Sequence, residues 1–308
     1  MFKAPYWTIM MFLCCMMVLL PAMTLQAGLQ EGIKAYRESD HRAALKEFSP
    51  LGDKGNAEAQ YYLGLIQVSG KGVPADYGAA LGWFKRAADQ GHAGAQYNLG
   101  LLYENGQGVP RDFKAAALWY LKAAEKGYAP SQYNFGMMYF EGRGVPRDYA
   151  QAHKWYAKAA DQGYAAAQFL LGLLYYKGRA VPQSFKESLA WFQRSAEQGD
   201  VRAQHYLGLM YEHGQGVPSD DKAAASWYQK AADQGNAASQ YAIGMIYYEG
   251  RGVPADRVAA YQWLSLASTA GVKEAGPVLQ QLEPKLSPEE LATARLMAKA
   301  WLIIHHNK

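Results

Sequence analysis

The feature that most constrains the fold is a period of 36 residues that repeats six times without insertion across residues 56–271. A tryptophan occupies the same place in every unit: Trp83, Trp119, Trp155, Trp191, Trp227 and Trp263. A glutamine does the same: Gln60, Gln96, Gln132, Gln168, Gln204 and Gln240. A strict period of this length is typical of small supersecondary units that stack on one another.

Each unit has the pattern of two helices. In the first unit, apolar residues at helical spacing run from Ala57 and end at the Gly70–Pro74 stretch, which cannot continue a helix. Asp76 then stands where it can cap a second helix, which Gly91 ends. The equivalent capping residues are Asp112, Asp148, Ser184, Asp220 and Asp256. Because one helix pair cannot bury its own apolar stripe, neighbouring pairs are expected to stack.

Small and large residues alternate in a way that suits close packing of these helices. Alanine and glycine let two backbones approach, and a large aromatic residue fills the space that remains. We expect the recurrent tryptophan to be that residue. On this interpretation it lies in the core, and its replacement by alanine would cost about 3–5 kcal/mol of stability.

The string A-x-A-Q-Y-x-L-G-x-x-Y-x-x-G-x-G-V-P-x-D-x-x-x-A-x-x-W-x-x-x-A-A-x-x-G, complete in residues 93–127, resembles the Sel1-like repeat, a relative of the tetratricopeptide repeat. The resemblance implies an all-α fold: a right-handed α-solenoid of stacked antiparallel helix pairs. Two departures are local. Ala180 replaces a glycine of the turn, and Gln67 replaces a tyrosine; neither is expected to disturb the fold.

The resemblance extends to both flanks of the repeats. Residues 28–55 resemble a shortened N-terminal capping helix pair, and residues 272–308 resemble C-terminal capping helices and a tail. Within the latter, Leu286–Leu291 resembles the start of a closing helix whose Lys299 and polar neighbours face water.

The N-terminus has the pattern of a secretory signal. Lys3 precedes an apolar run of about a dozen residues, Ile9–Leu20, which is shorter than the roughly 20 residues that span a bilayer. We expect cleavage after Ala27, which makes residues 1–27 a signal peptide and the mature chain periplasmic or secreted. The alternative is an uncleaved membrane anchor. Both cysteines, Cys14 and Cys15, lie in the apolar run, so the mature chain contains none.

The first helices offer a candidate surface for a partner. The resemblance implies that they line a concave face, and the positions at offsets 0, 4, 7 and 11 form one stripe, whose outer columns change chemistry from unit to unit. Aromatic columns flank this stripe, as protein-binding surfaces require. The recurrent tyrosine of one column fits packing between units equally well. The predicted partner-binding residues are Glu104, Tyr133, Phe140, Tyr176, Tyr206, Glu212, His213 and Tyr248.

Several classes of chemistry are disfavoured. The formal charge is +4, from 31 Lys and Arg against 27 Asp and Glu, and no basic cluster marks a nucleic-acid binder. The seven histidines are scattered, so neither a metal nor another cofactor is expected. Ser219-x-x-Lys222 resembles the nucleophile motif of penicillin-interacting enzymes, but its companion motifs are absent. We interpret it as a helix cap and expect no catalytic residues.

The leading hypothesis for function is therefore a non-enzymatic, exported scaffold that binds a protein segment on its concave face. The resemblance implies adaptor roles, such as assembling complexes, tuning membrane sensors from the periplasm or contacting host proteins. A cell-wall or carbohydrate-binding module is the alternative, since aromatic grooves also stack sugars. A β-lactam-interacting hydrolase is the third candidate, although such relatives carry paired cysteines that the mature chain lacks.

Overall fold

The computed structural model describes residues 26–306, and these contain helices and turns but no strand. A first helix, α1, covers residues 26–37, and a short 3₁₀ helix covers Glu283–Lys285. The other helices are α2 His41–Asp53, α3 Ala57–Ser69, α4 Tyr77–Asp89, α5 Ala93–Asn105, α6 Phe113–Glu125, α7 Ala129–Glu141, α8 Tyr149–Asp161, α9 Ala165–Lys177, α10 Phe185–Glu197, α11 Val201–His213, α12 Asp221–Asp233, α13 Ala237–Glu249, α14 Arg257–Thr269, α15 Ala275–Leu282 and α16 Pro288–His306. The all-α repeat fold expected from the sequence is confirmed.

The chain divides into two compact units, one ending at Asp148 and the other beginning at Tyr149. In each unit, consecutive helices pack in pairs. We call α3, α5, α7, α9, α11 and α13 the A helices, and α4, α6, α8, α10, α12 and α14 the B helices, of repeats one to six. In the second unit the A helix packs on the B helix of its own repeat, and that B helix packs on the next A helix.

The expected caps hold the helix ends. The side chain of Asp76 accepts a hydrogen bond from the backbone N–H of Ala79 at 2.9 Å. The same bond is made by Asp112, Ser184, Asp220 and Asp256. A helices end instead on a left-handed residue, and Gly70 has a φ of 66°. These capping interactions are local, so the ends of these helices are set by residues close to them in sequence.

The closest approach of the two helices within a repeat is made by a glycine and an aromatic ring. In repeat four, a Cβ added to Gly172 would lie 2.8 Å from the ring of Phe192, which is fully buried. Gly64, Gly100, Gly208 and Gly244 make the same contact with Phe84, Tyr120, Tyr228 and Leu264. The ring therefore lies directly on the backbone of the A helix.

The residue that fills this space is the one after the recurrent tryptophan, so the expectation for the tryptophan itself was wrong. Trp191 is only half-buried, and the guanidinium of Arg194 lies 4.6 Å from its ring centroid. Similar pairs, three residues apart on the B helix, are Trp83–Arg86, Trp119–Lys122, Trp155–Lys158 and Trp227–Lys230. One face of the indole packs inward while a cation covers the other. Trp263 alone is buried.

A ladder of glutamine amides connects neighbouring helix pairs. In repeat four, the Nε2 of Gln168 donates to the carbonyl of Ala160 at 3.1 Å. The Nε2 of Gln198, at the end of the B helix, donates to the Oε1 of Gln168 at 2.8 Å. Gln90 and Gln234 make the second bond to Gln60 and Gln204. These bonds satisfy amides that are almost fully buried, as burial of polar groups requires.

One turn keeps its shape despite an unfavourable residue. Ala180 has a φ of 67°, close to the 72° of Gly144 at the same place in the preceding repeat. An alanine in the left-handed region is strained, but the turn keeps the glycine's conformation. The sequence departure at Ala180 therefore leaves the repeat geometry intact, as expected.

The closing helix α16 runs alongside α14 in the same direction. Ala294 clusters with Ala260 and Leu264, and Ala298 clusters with Trp263. Lys299 faces water as expected, and so does Arg295 one turn before it, but apolar side chains are exposed among these polar ones. Exposed apolar side chains on this surface are Leu296, Met297, Ile303 and Ile304.

The N-terminal signal lies almost entirely outside the described residues, as do both cysteines. Ala27, where cleavage is expected, lies within α1. Among the helices of residues 26–306, none is both long and apolar enough to cross a membrane.

Substitution of Gly172 tests the close contact between the two helices. We expect Gly172→Ala to lower the free energy of unfolding by about 1–3 kcal/mol, because the methyl group would overlap the ring of Phe192. Gly82→Ala is the control: no atom lies within 4 Å of its added Cβ, so it should stabilise helix α4 by about 0.5–1 kcal/mol. Urea unfolding followed by circular dichroism measures both, and equal effects would contradict the assignment.

Substitution of two adjacent aromatic residues compares a fully buried position, Phe192, with a half-buried position, Trp191, whose ring is covered by Arg194. Phe192→Ala should cost about 3–5 kcal/mol, because its ring is fully buried. Trp191→Ala should cost less, although the side chain is larger, because one indole face already meets solvent and Arg194. Chemical unfolding of the two variants measures both losses of unfolding free energy. A larger loss for Trp191→Ala than for Phe192→Ala would show that the tryptophan is the core residue after all.

Candidate functional site

A cleft of about 300 Å³ opens between the A helices of the last two repeats, α11 and α13. Its apolar walls come from Leu209, Ala242 and Met245. The other lining residues are His205, Glu212, Tyr228, Ala238, Tyr241, Glu249 and Arg251. The stripe of variable positions expected to contact a partner supplies Leu209, Ala238, Ala242, Met245 and Glu249. Volumes of this size suit a single side chain or a small ligand.

The cleft exists because the sixth repeat carries small residues where the fifth carries large ones. The first two stripe positions are Arg202 and Tyr206 in α11, but Ala238 and Ala242 in α13. Tyr206 fills its own position by packing on Phe192, with ring centroids 5.0 Å apart. No comparable side chain projects from the equivalent place in α13, so the surface is open there.

The polar side of the cleft is acidic. Arg251 makes ion pairs with Glu249 at 2.6 Å, Glu212 at 2.9 Å and Asp221 at 3.5 Å. Burial disfavours the charged form of Arg251, but the hydrogen bonds that it donates to Glu249 and Glu212 outweigh this and raise its pKa. Glu212 and Glu249 line the cleft with Arg251 whereas Asp221 does not, so the carboxylates of the lining exceed its guanidinium by one negative charge. Tyr228 also donates to Glu212 at 2.7 Å.

His205 adds a neutral group to the cleft at pH 7. Its Nδ1 lies 2.8 Å from the Oγ of Ser239, which is fully buried. Burial lowers the pKa of His205 below its ordinary 6.5, and the negative charge of Glu212 only partly opposes this. The imidazole therefore does not compensate the carboxylates.

The structure places the predicted binding residues of the second unit in different surroundings. Glu212 lines the cleft, while Tyr206 packs against neighbouring rings and His213 is exposed at the end of α11. The hydroxyl of Tyr176 donates to the Oε1 of Gln215 at 2.8 Å. The hydroxyl of Tyr248 accepts from the Nζ of Lys285 at 2.7 Å. Their role in binding stays a prediction.

The first unit holds the other three predicted residues. Glu104 accepts from Tyr120 at 2.6 Å and pairs with Arg143 at 3.1 Å, which repeats the arrangement around Glu212. Tyr133 and Phe140 are half-buried on α7. None of these three residues belongs to the α11–α13 cleft.

Sequence reasoning found the column that contains Glu212 but missed its partners. Glu212, Tyr228 and Arg251 come from three consecutive elements, separated by 16 and 39 residues from the glutamate. The same spacing joins Glu104, Tyr120 and Arg143, so this recurrence is the signal that could have revealed the contact. The paired alanines of α13 are the signal for the cleft itself.

The serine hydroxyl of the Ser-x-x-Lys string is hydrogen-bonded to the backbone. Ser219 donates to the backbone carbonyl of Glu212 at 3.1 Å, and Asp220, rather than Ser219, caps helix α12. The expectation that Ser219 caps this helix was therefore wrong. Within residues 26–306, no three histidine, aspartate or glutamate side chains are grouped to hold a metal ion.

Comparison with known families identifies the repeat. The sequence profile described as "Sel1 repeat" matches residues 57–92, 93–128, 129–164, 165–200, 201–236 and 237–272. The chain belongs to the Sel1 repeat family. The repeats matched by the profile begin at residue 57, one residue after the start of the 36-residue period at residue 56. Sel1 repeat proteins generally mediate protein–protein interaction as non-enzymatic scaffolds, and no catalytic family is indicated for this chain.

One solved structure agrees with this assignment, and a second is similar in sequence. A Sel1 repeat protein from Oxalobacter formigenes is 32% identical, with a TM-score of 0.70, over 78% of this chain and 96% of that chain. A protective antigen of uropathogenic Escherichia coli, c5321, is 29% identical with a TM-score of 0.43, over 90% of this chain and 76% of that one. The comparison with curated proteins found no significant match.

The burial of His205 predicts a pH dependence of stability. Because its pKa is lowered in the folded state, its contribution to stability is present above pH 6.5 and is lost as the pH falls through the folded-state pKa. We expect His205→Gln to reduce the fall in unfolding free energy on acidification. His213→Gln, at an exposed position of the same Sel1 repeat, should retain the wild-type profile. Coincident profiles for His205→Gln and wild type would contradict the assignment.

Proposed function

We propose that this Sel1 repeat protein is an exported, non-enzymatic scaffold that binds a segment of a protein partner at the stripe positions of α11 and α13, with the α11–α13 cleft as the anchor point. The observation that carries the proposal is the combination of an open apolar wall with an excess of one negative charge in one cleft. Anchors of this kind supply most of the affinity at protein interfaces.

The chemistry of the cleft favours a long basic side chain of the partner. The aliphatic stem of a lysine or arginine would lie against Leu209, Ala242 and Met245. Its cationic end would reach Glu249, which lies at the rim with its side chain 40% exposed. The positive charge of the partner would thus add to that of Arg251 in balancing the carboxylates of the cleft.

Photo-crosslinking from the cleft tests the location. A photoreactive residue at Ala238 is expected to give a covalent adduct with a partner, identified by mass spectrometry at a lysine- or arginine-containing peptide. The same residue at Ala166, the equivalent position of α9, is the control and should give no such adduct. Equal adducts from both positions, or none from either, would contradict the location. Sedimentation with purified cell wall in the absence of any adduct would favour the carbohydrate-binding alternative.

Neutralising the rim carboxylate tests the charge argument on the partner so identified. Glu249→Gln should weaken binding about 2–5-fold, since a partly exposed ion pair contributes roughly 0.5–1 kcal/mol. Glu141→Gln is the matched control, because Glu141 occupies the same position of α7 and also pairs with an arginine. Titration calorimetry at two salt concentrations measures both variants. An unchanged affinity for Glu249→Gln would remove the carboxylate from the site.

Export is supported by the sequence of the N-terminus. We expect a mature chain that begins near Gly28 and appears in the periplasmic or extracellular fraction. Intact-mass measurement of the protein from fractionated cells tests this, and a full-length chain in the membrane fraction would establish the retained anchor instead.

A further inference from the structure

A second cavity, of about 500 Å³, lies beside the end of α14 and is separate from the α11–α13 cleft. Its apolar wall is formed by Leu266, Ala270, Trp301 and Leu302. The polar side chains that line it are Gln234, Gln240, Thr269 and His305. The volume falls within the range of small-molecule sites, which are apolar with a few placed polar groups.

The cavity lies where the glutamine ladder is interrupted. Gln240 donates through Nε2 to the carbonyl of Ala232 at 3.3 Å, as the other ladder glutamines do. In repeats one, four and five, the Oε1 of the equivalent glutamine accepts a hydrogen bond from a second glutamine 30 residues later. In repeat six that second position is Ala270, which has no amide to donate. Gln240 is only 2% exposed, and no donor reaches its Oε1 among the residues described.

The other polar side chains of the cavity also use donors inside the protein, although the amides of Gln234 and Gln240 each keep a second N–H. The hydroxyl of Thr269 donates to the carbonyl of Ser265 at 2.9 Å. The Nδ1 of His305 lies 2.9 Å from the carbonyl of Trp301 and must donate to it, which leaves Nε2 as an acceptor in the neutral ring. Gln234 donates through Nε2 to Gln204. Each group therefore presents an acceptor.

The backbone at the rim offers no donor either. The N–H of Gly235 bonds to the carbonyl of Ala232, and the N–H of Ala270 bonds to the carbonyl of Leu266. Free acceptors therefore outnumber free donors on the polar side of the cavity, and a ligand that carries a hydrogen-bond donor suits it.

The wall that closes the cavity is aromatic and held in place. The ring of His305 stacks on Trp301 with centroids 3.8 Å apart and an interplanar angle of 9°. Trp301 also meets Trp263 edge to face at 6.5 Å. No carboxylate lines the cavity, so nothing there compensates a cationic ligand.

We propose that this cavity is a binding site for a small, uncharged, apolar molecule that carries an N–H donor, which the Oε1 of Gln240 accepts in place of the missing ladder amide. The ligand's apolar body lies against Leu266, Trp301 and Leu302. The site is independent of the proposed partner-binding cleft, because the two share no lining residue and this cavity includes the closing helix α16.

Indole and benzofuran form a matched pair of probes, since they share a shape and differ in the N–H group. Ligand-observed NMR on the full mature chain measures the affinity of each. We expect indole to bind at least tenfold more tightly than benzofuran. Equal affinities would show that the Gln240 acceptor does not select the ligand, and no binding of indole up to its solubility limit would overturn the site.

Ala270→Gln tests the location of the site. It supplies the amide that repeats one, four and five carry, so the variant should fold, pair with Gln240 and lose indole binding. The control is Gln198→Ala, which removes the equivalent donor beside Gln168 in repeat four, away from Trp301. It should leave indole affinity unchanged and add no second site. Undiminished indole binding by Ala270→Gln, with its fold verified by circular dichroism, would overturn the proposal.

Discussion

The contact between a glycine backbone and a flat ring is the constraint on which the described repeats depend. In repeat four the ring of Phe192 lies against Gly172 so closely that no β-carbon can be added. This distance sets how near the A helix comes to its B helix, and the alanines around it allow the approach. Because the same pair recurs every 36 residues, one geometry serves successive repeats, and neighbouring helix pairs can stack with the same spacing.

Buried polar groups then link one helix pair to the next. The glutamine ladder ties the end of a B helix to the following A helix through a glutamine of the A helix that is almost fully buried. At the other end of the A helix, Glu104 and Glu212 each join a tyrosine of the B helix to an arginine of the next turn. Such groups are costly when unpaired, so they favour one alignment of the repeats over others.

The candidate sites occur where the repeated chemistry is interrupted. Two alanines in α13 replace the large side chains of α11 and open the acidic cleft. A single alanine at position 270 replaces a ladder glutamine and leaves the acceptor of Gln240 without a donor. In a repeat protein the regular positions maintain the stack, and the departures from the pattern are free to acquire a different role.

The sequence alone determined the helix pairs, their caps and the family, because these follow from local signals: the spacing of glycine, proline and aspartate, and the 36-residue period. It also located Glu212 in a column near the candidate cleft. It did not determine which of two adjacent aromatic residues lies in the core, since Trp191 and Phe192 are both apolar and only the rotation of the B helix distinguishes them. Nor did it show the partners of Glu104 and Glu212, or the exposed apolar side chains of α16. Those depend on side chains that are distant in sequence and meet only when the helices have packed.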